Sequence, residues 1–285
     1  MSKLMIKNLC AEDLANVLGL KVLGEKGQLL SKVVSLNDAQ SEGLCFSKAT
    51  VNKFINGIVI GPQGSLAQTV LVSENPRLHF CRALSYFVDN GYLDLSYYET
   101  YIDDTVTVAQ SAIIESGVSI GENSVIEHNV VIHSGTKIGK NCIIRSGSIL
   151  GAQGFGFEKN EDGIWERFQH IGGLSVGDNV EIGAMNSVCV GALDDTIIGN
   201  GVKTDNLVHI AHNCKIGKNS ILTACVELSG GVIIGENVWI GPNTSTKQKI
   251  VIGDNALIGV GSVVMKDVQA NHVVAGNPAK IIKRG

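Results

Sequence analysis

The chain has 285 residues, 44% hydrophobic and 18% charged, which is ordinary for a globular protein with one large or two modest domains. Its 23 basic and 27 acidic residues give a net charge of −4 and argue against nucleic acid or an anionic membrane as the main partner, because both favour basic surfaces. No apolar run reaches the roughly 18 residues of a membrane span, and the amino terminus carries acids where a signal peptide is apolar. The sequence therefore predicts a cytoplasmic protein without an integral membrane segment.

Two further features of composition concern glycine and cysteine. There are 34 glycines against 4 prolines, and aromatic residues make up only 5% of the chain, which is typical of a repeat architecture. The 7 cysteines form no CxxC pair and no zinc-like spacing, so we expect them to be small core residues.

Residues 1–99 show no regular repeat and are predicted to form a small α/β domain. AEDLANVLGL predicts a short helix, and NPRLHFCRALSYFVDNG predicts a second helix that ends at Gly91. SKVVSL, GIVIG and TVLVS predict short strands. This domain lacks a glycine-rich phosphate loop, which argues against a nucleotidyltransferase.

From Ile102 onward the chain divides into units of six residues, called hexads here. There are 23 of them: 8 from Ile102, 3 that begin at Val176, Ile182 and Val188, and 12 from Ile198. Position one is aliphatic, position two is often glycine, and position five is small or β-branched, the signature of a parallel β-helix. Three sides close a triangular prism, so one coil takes about 18 residues and residues 100–269 make seven to eight coils, roughly 35 Å tall.

The hexads are interrupted twice. The segment 151–173, GAQGFGFEKNEDGIWERFQHIGG, is too charged and aromatic for the repeat and is predicted to loop out of the prism. At GALDDTI the step from Val188 to Ile198 spans ten residues instead of twelve, which predicts a shortened side. Insertions in such solenoids tend to lie on the binding face. Residues 270–285 are predicted to form a short tail with at most a brief helix after Pro278.

The hexad phase places two histidines on the outer surface. In IAHNCK, Ile210 and Cys214 point inward, so His212 at position three points outward, as does His209 at position six of the preceding hexad. One coil of about 18 residues puts His212 over Gly230. An imidazole that accepts a proton near neutral pH, beside an exposed backbone N–H, suits acyl transfer by direct attack. On these residues alone, a solvated surface histidine is an equally good interpretation.

Two parts of the chain resemble one family. GALDDTIIGNGVKTDNLVHIAHNCKIGKNS, residues 191–220, and the preceding GAQGFGF closely resemble the UDP-3-O-acylglucosamine N-acyltransferases of lipid A biosynthesis, within the hexapeptide-repeat acyltransferase superfamily. SLNDAQSEGLCFS and SENPRLHFCRAL resemble the nucleotide-binding domain of that family. The resemblance implies a left-handed parallel β-helix, a homotrimer with active sites between neighbouring prisms, and N-acyl transfer to a nucleotide-linked amino sugar.

The resemblance also assigns roles within the repeat. The catalytic base of the family falls on His212 in IAHN, and its oxyanion-binding glycine falls on Gly230. Asp205 and Asn206 in TDN match the family and would orient the base or the substrate, with a plain corner role as the equal alternative. His209 is predicted to bind substrate.

Further substrate contacts are implied outside this motif. The uracil-stacking phenylalanine of the family matches Phe46, for which a core position is the alternative. Phe155 and Phe157 would wall the channel for the acyl chain or pantetheine of a neighbouring subunit. A phosphate-contacting histidine of the family is replaced by Lys249, which keeps a cation of different shape.

The chain departs from the family at two other segments. After Phe46 the family has an Asn-Pro-Lys-Tyr segment, whereas this chain reads SKATVNKF. In place of the family's carboxy-terminal helices, which engage acyl carrier protein, stands VVAGNPAKIIKRG, typical of acetyltransferases that use coenzyme A. Either acyl-CoA or an acyl carrier protein thioester is therefore predicted as co-substrate, with no tightly bound cofactor and no metal.

Three alternatives stay open on the sequence. The first is O-acetyl transfer to a hydroxyl group on the same fold. The second is a zinc hydrase of the carbonic-anhydrase type, which needs three convergent histidines, whereas only His209 and His212 are close and His170 is a remote third. The third is a non-catalytic scaffold in which both histidines are incidental.

Overall fold

A computed structural model describes residues 3–4, 8–39, 43–93 and 99–283, which divide into two compact units. The amino-terminal unit contains the described residues up to Leu93 together with Gly156–Ile171. The second unit, called the prism here, contains the described residues from Glu99 to Phe155 and from Gly172 to Lys283. Gly156–Ile171, which the sequence analysis counted with the prism, is thus grouped with the amino-terminal unit.

The amino-terminal unit is built from one mixed sheet and two helices. Helices α1 (Ala11–Leu18) and α2 (Pro76–Asp89) confirm the two predicted helices, and a short 3-10 turn spans Leu36–Asp38. Its six strands lie in the order Lys3–Leu4, Lys32–Val33, Leu44–Phe46, Ile55–Gly61, Ala67–Val72 and Lys21–Gly24. Helix α2 begins at a proline, and the side chain of Asn75 accepts a hydrogen bond from the Leu78 N–H there. Neither helix of the described chain has the length and hydropathy of a bilayer-spanning segment.

The segment Gly156–Ile171 carries an antiparallel hairpin of Phe157–Lys159 with Trp165–Arg167. Arg82 of helix α2 holds this hairpin by ion pairs of 2.8 Å to both Glu161 and Glu166. Hydrogen bonding by the Arg82 guanidinium keeps the pKa of Glu166 below its ordinary value. The loop predicted to leave the prism is therefore confirmed as an excursion, and its charged residues serve to attach it to α2.

The prism has three faces, each a parallel sheet in which successive strands come from successive coils. Face A consists of Tyr101–Ile102, Ser119–Ile120, Thr136–Ile138, Leu174–Val176, Thr196–Ile198, Lys215–Ile216, Ile233–Ile234 and Val251–Ile252. Face B consists of Thr107–Val108, Val125–Ile126, Ile143–Ile144, Glu181–Ile182, Lys203–Thr204, Ile221–Leu222, Trp239–Ile240, Leu257–Ile258 and Val273–Ala275, with Lys280–Lys283 at its edge. Face C consists of Ile113–Ile114, Val131–Ile132, Ile149–Ala152, Ser187–Cys189, His209–Ile210, Glu227–Leu228, Ser245–Thr246 and Val263–Val264.

Faces A and C each have 8 strands, so the predicted β-helix is confirmed and has eight complete coils. Its interior is one continuous apolar cluster that includes Ile210 and Cys214, both 0% exposed as the hexad phase predicts. Burial raises the pKa of the Cys214 thiol to about 12, so this cysteine is an unreactive core residue. Core burial is wrong for Cys225, which is exposed because it occupies a corner with a φ of 60°.

The phase slip at GALDDTI is an insertion, not the predicted shortening. Val176 pairs with Ile198, which lies 22 positions further on. In the same coil the Asp178 N–H donates to the Asn200 side chain, again 22 positions further on, whereas the equivalent bond from Glu236 to Asp254 spans the usual 18. That side of the prism therefore gains four residues. Because the hexad count alone does not say which coil a strand joins, a slip of minus two is indistinguishable from one of plus four in the sequence.

The brief helix that the sequence allowed after Pro278 is not what the described residues form. Residues after Pro278 form the strand Lys280–Lys283, antiparallel to Val273–Ala275, instead of a brief helix. This hairpin extends face B beyond the last complete coil.

A buried asparagine joins two coils of the prism and gives a test of its stability. The Asn186 side chain is 2% exposed; its amide donates to the Gly183 and Asp205 carbonyls, and its oxygen accepts from the Val208 N–H. Asn186→Leu leaves the buried Val208 N–H without its acceptor and takes a donor from the Asp205 carbonyl, while the Gly183 carbonyl keeps the Ser148 hydroxyl. We therefore expect the unfolding free energy to fall by about 2–4 kcal/mol in urea denaturation.

The matched control is Asn237→Gly. Asn237 is exposed at a corner with a φ of 55°, which glycine adopts without strain, so its stability should change by less than about 0.5 kcal/mol. Equal stability of the two variants would contradict a structural role for Asn186.

Candidate active site

Face C carries a cavity of about 650 Å³. Because inward and outward residues alternate along each strand, position six of successive hexads forms an outward column of Ser187, His209, Glu227 and Ser245. All four residues line the cavity. Of the predicted site residues, the structure brings His209, His212, Gly230 and Phe155 together around this space.

The imidazole of His212 lies directly against Gly230. A Cβ atom built on Gly230 would stand 2.7 Å from both Cε1 and Nε2 of the ring, so only glycine fits there. The Gly231 N–H donates to the His212 carbonyl at 2.8 Å, and this bond fixes the two coils in register. The predicted placement of His212 over Gly230 is confirmed.

Asn213 determines which nitrogen of His212 carries the proton. Its Oδ1 atom accepts from the Ala192 N–H at 2.9 Å, and its amide donates to the Asp194 carbonyl at 3.2 Å. The atom that lies 2.9 Å from Nδ1 of His212 is therefore an oxygen, which only accepts. Nδ1 must then be the protonated nitrogen of the neutral ring, and Nε2, which lies against Gly230, carries the lone pair.

Asn213 is not among the residues for which the sequence predicted a role. Its two backbone partners, Ala192 and Asp194, lie in the four-residue insertion that was misread as a shortening. One signal in the sequence could have indicated the role of Asn213: the IAHN motif lies about one coil after the phase slip at GALDDTI. The insertion supplies the two backbone groups that hold the Asn213 side chain, and Asn213 in turn orients the His212 imidazole.

The N–H of Gly230 is placed differently from its equivalents in other coils. At hexad position three the N–H commonly donates to a side chain of the next coil, as Glu236 does to Asp254 at 2.8 Å. The next-coil residue below Gly230 is Gln248, and no hydrogen bond among the described residues takes the Gly230 N–H. This donor is available to a ligand in the cavity.

Asp205 and Asn206 lie at the corner before face C and do not line the cavity. The Oδ1 atom of Asn206 accepts from the Ala184 N–H at 2.8 Å, and the Asp205 carboxylate accepts from the Asn206 N–H at 2.7 Å. Both side chains thus bond to backbone N–H groups of the corner, which is the structural role that the sequence offered as the alternative to orienting the base or the substrate.

Lys249 stands at a corner with a φ of 62° and is exposed, while its neighbours Lys247 and Gln248 line the cavity. Its backbone N–H donates to the Gly230 carbonyl at 3.0 Å. The cation expected for phosphate contact is therefore joined by a second one, Lys247, which the sequence analysis did not single out.

The three predicted phenylalanines fall in different places. Phe155 lines the cavity and is 89% exposed. Phe157 belongs to the amino-terminal unit, where the Arg167 guanidinium lies 4.7 Å from its ring centroid. Phe46 is half-buried in the same unit, with its ring centroid 4.8 Å from that of Phe80.

Metal ligands do not gather in the part of the chain that the structure describes: no group of three or more His, Cys, Asp or Glu side chains could hold an ion. His170, the third histidine of the zinc alternative, is 2% exposed in the amino-terminal unit, and its Nδ1 lies 3.0 Å from the Phe168 carbonyl.

The repeat segment has identifiable relatives. Residues 117–152, 195–230 and 231–266 match the bacterial transferase hexapeptide family (six repeats). UDP-3-O-acylglucosamine N-acyltransferases of Delftia acidovorans and Bordetella parapertussis are 38% and 41% identical over 128 and 123 residues, which is 45% and 42% of this chain. The match spans only 38% and 34% of the length of those relatives. The resemblance to this family is confirmed over that part of the chain.

Solved structures identify the fold. The UDP-N-acetylglucosamine acyltransferase of Francisella novicida is 25% identical and superimposes with a TM-score of 0.53, covering 64% of this chain and 68% of that one. The Campylobacter jejuni protein of the same description is 24% identical with a TM-score of 0.53, covering 64% of this chain and 72% of that one. The predicted left-handed parallel β-helix is confirmed.

The orientation of His212 gives a test that needs no substrate. In nitrogen-15 NMR spectra, the neutral form of the His212 ring should carry its proton on Nδ1, because Asn213 accepts from that atom. Asn213→Gly keeps the backbone at its φ of 61° but removes the acceptor, so the proton should redistribute toward Nε2.

Asn219→Gly is the control for this measurement. Asn219 has a φ of 58° one hexad further along and is exposed, so its loss should leave the His212 tautomer unchanged. An Nε2-protonated ring in the unchanged protein would contradict the assigned hydrogen bond.

Proposed function

We propose that this chain, a hexapeptide-repeat protein similar to UDP-3-O-acylglucosamine N-acyltransferases, moves an acyl group from a thioester to the amine of a nucleotide-linked amino sugar. The pathway would be that of lipid A or another surface polysaccharide. The observation that carries the proposal is the His212 imidazole lying against Gly230 inside a cavity of about 650 Å³. A proton acceptor and a backbone donor then face the same ligand.

The proposed chemistry is direct transfer. The acceptor amine attacks the thioester carbonyl carbon while Nε2 of His212 removes a proton from its nitrogen. The negative oxygen of the tetrahedral adduct faces the Gly230 N–H, and one such donor is worth about 3 kcal/mol. The C–S bond then breaks, and the imidazolium returns its proton to the leaving thiolate. Asn213 holds the ring in the tautomer that this sequence requires.

Further substrate contacts are proposed within each unit separately. Phe46 is proposed to stack on the nucleotide base, since its ring packs on Phe80 and is only half-buried. Lys247 and Lys249 are proposed to attract phosphate groups, and Phe155 to contact the acyl donor. His209, which lines the same cavity, would contact the sugar.

The donor and the assembly complete the proposal. The donor would be acyl-CoA or an acyl carrier protein thioester, acting as co-substrate without a tightly bound cofactor. The protein would act in the cytoplasm as a homotrimer with its sites between neighbouring prisms, as the family resemblance implies.

The function is tested by offering the protein a panel of substrates. We expect intact-mass analysis to detect N-acylated product after incubation with acetyl-CoA, longer acyl-CoAs or acyl carrier protein thioesters and UDP- or dTDP-linked amino sugars. Transfer only to sugar hydroxyls would instead support an O-acyltransferase. No consumption of any donor would support a non-catalytic scaffold.

The role of His212 is tested by substitution with alanine. Loss of the general base should lower turnover by about two to four orders of magnitude while the oligomeric state, measured by light scattering, stays the same. His128→Ala is the matched control, because His128 also occupies hexad position three on the exterior but has Ser146 one coil below it. Unchanged turnover in His212→Ala would refute the proposed mechanism.

A further inference from the structure

Glu227 is an acidic residue of the cavity that neither the hexads nor the resemblance singled out. It begins the strand Glu227–Leu228, in which Leu228 is 0% exposed and points into the prism. The Glu227 side chain therefore points outward on face C, where it lines the cavity and is half-buried. Its strand neighbours are His209 on the preceding coil and Ser245 on the following coil.

The other glutamates of the prism exterior show what is unusual about this one. Five of them pair with a basic side chain: Glu115 with His133, Glu122 with Lys140, Glu127 and Glu181 with Arg145, and Glu236 with Lys218. Among the ion pairs of the described residues, none includes Glu227. A half-buried carboxylate that makes no ion pair with the described residues is suited to receive positive charge from a ligand.

The Glu227 carboxylate contacts the residue that precedes Gly230. Its Oε1 atom accepts a hydrogen bond of 3.3 Å from the Ser229 hydroxyl, and Ser229 directly precedes Gly230. The other ionisable side chains that line this cavity are His209, His212, Lys247 and Cys189, and burial raises the pKa of the Cys189 thiol. The carboxylate is thus the single negative side chain among the ionisable groups that line the described cavity.

We propose that Glu227 contacts the acceptor nitrogen and makes the site selective for an amine. This inference rests on the proposed function. As the lone pair of the amine forms the C–N bond, the carbonyl π electrons move to the oxygen beside Gly230, and the nitrogen becomes positively charged. His212 takes one of its two protons and returns it to the thiolate when the C–S bond breaks.

The second N–H of the acceptor stays in the amide product. Glu227 accepts a hydrogen bond from it and balances the positive charge of the adduct, without itself gaining or losing a proton. A hydroxyl acceptor has only one proton, which the base removes, so it offers nothing to the carboxylate. Amine and hydroxyl acceptors are thereby distinguished by the residue at position 227.

Binding of three matched ligands tests this contact without turnover. UDP-glucosamine carries an amine, UDP-glucose a hydroxyl and UDP-N-acetylglucosamine a neutral amide at the same carbon. In calorimetric titrations at a pH about one unit below the pKa of the amine, the unchanged protein should bind UDP-glucosamine about 10- to 100-fold more tightly than UDP-glucose. Glu227→Gln should reduce this preference to less than about threefold and leave binding of UDP-N-acetylglucosamine unchanged.

Two further variants separate charge from structure. Glu227→Asp keeps the charge and should retain part of the amine preference. Glu236→Gln removes a prism glutamate that pairs with Lys218 and should bind all three ligands as the unchanged protein does. Turnover with an amino sugar should fall about 10- to 100-fold in Glu227→Gln, with the KM for the acyl donor unchanged.

Four results would overturn the inference. The first is equal binding of the amine and hydroxyl ligands by the unchanged protein, and the second is an amine preference that survives in Glu227→Gln. The third is equal weakening of the binding of all three ligands in Glu227→Gln. The fourth is dissociation of the oligomer in Glu227→Gln, which would make Glu227 a contact between copies. If the unchanged protein acylates no amino sugar at all, the proposed function fails instead. The inference fails alone when the unchanged protein acylates amino sugars and Glu227→Gln behaves identically.

Discussion

The backbone hydrogen bonds between stacked coils are the constraint on which the site depends. Each regular coil pairs with the next at an offset of 18 residues, as His209 does with Glu227. The bond from the Gly231 N–H to the His212 carbonyl belongs to this ladder. Two residues that are 18 positions apart in the chain are thereby held about 4.8 Å apart. The geometry of the proposed site follows from register, since no loop has to close to bring the His212 imidazole and the Gly230 N–H together.

The register of the coils does not by itself orient the His212 imidazole. The irregular coil that precedes His212 supplies the groups that do so. The coil before His212 carries four extra residues, and their backbone holds the carboxamide of Asn213 from two directions. Asn213 itself has a φ of 61°, a conformation that asparagine tolerates better than most residues. An irregular segment is thus held by the regular coils on either side of it and in turn fixes one side chain.

The sequence predicted the parts of the molecule that follow from periodicity. Inward positions such as Ile210 and Cys214, the number of coils, and the contact of His212 with Gly230 all depend on counting by six and eighteen. The errors lie where counting gives no answer. The sign of the slip at GALDDTI, the strand Lys280–Lys283 and the exposure of Cys225 depend on which coil a segment joins or which corner it occupies. Asn213 was missed because its role depends on two backbone groups in the insertion that was misread.

A solenoid also explains how one exterior residue can change substrate choice without changing the fold. Outward position six on face C takes a serine, an imidazole, a carboxylate and a serine in four successive coils, while the inward neighbours Val188, Ile210 and Leu228 remain aliphatic and buried. Because side chains alternate along the strand, a substitution on the outer column leaves the core packing intact. Hydrogen bonds of the ladder involve only the backbone, so they are indifferent to the outer residue. The identity of residue 227 can therefore vary at little cost in stability. Each coil contributes one outward side chain to this column, so each can be changed independently of the others.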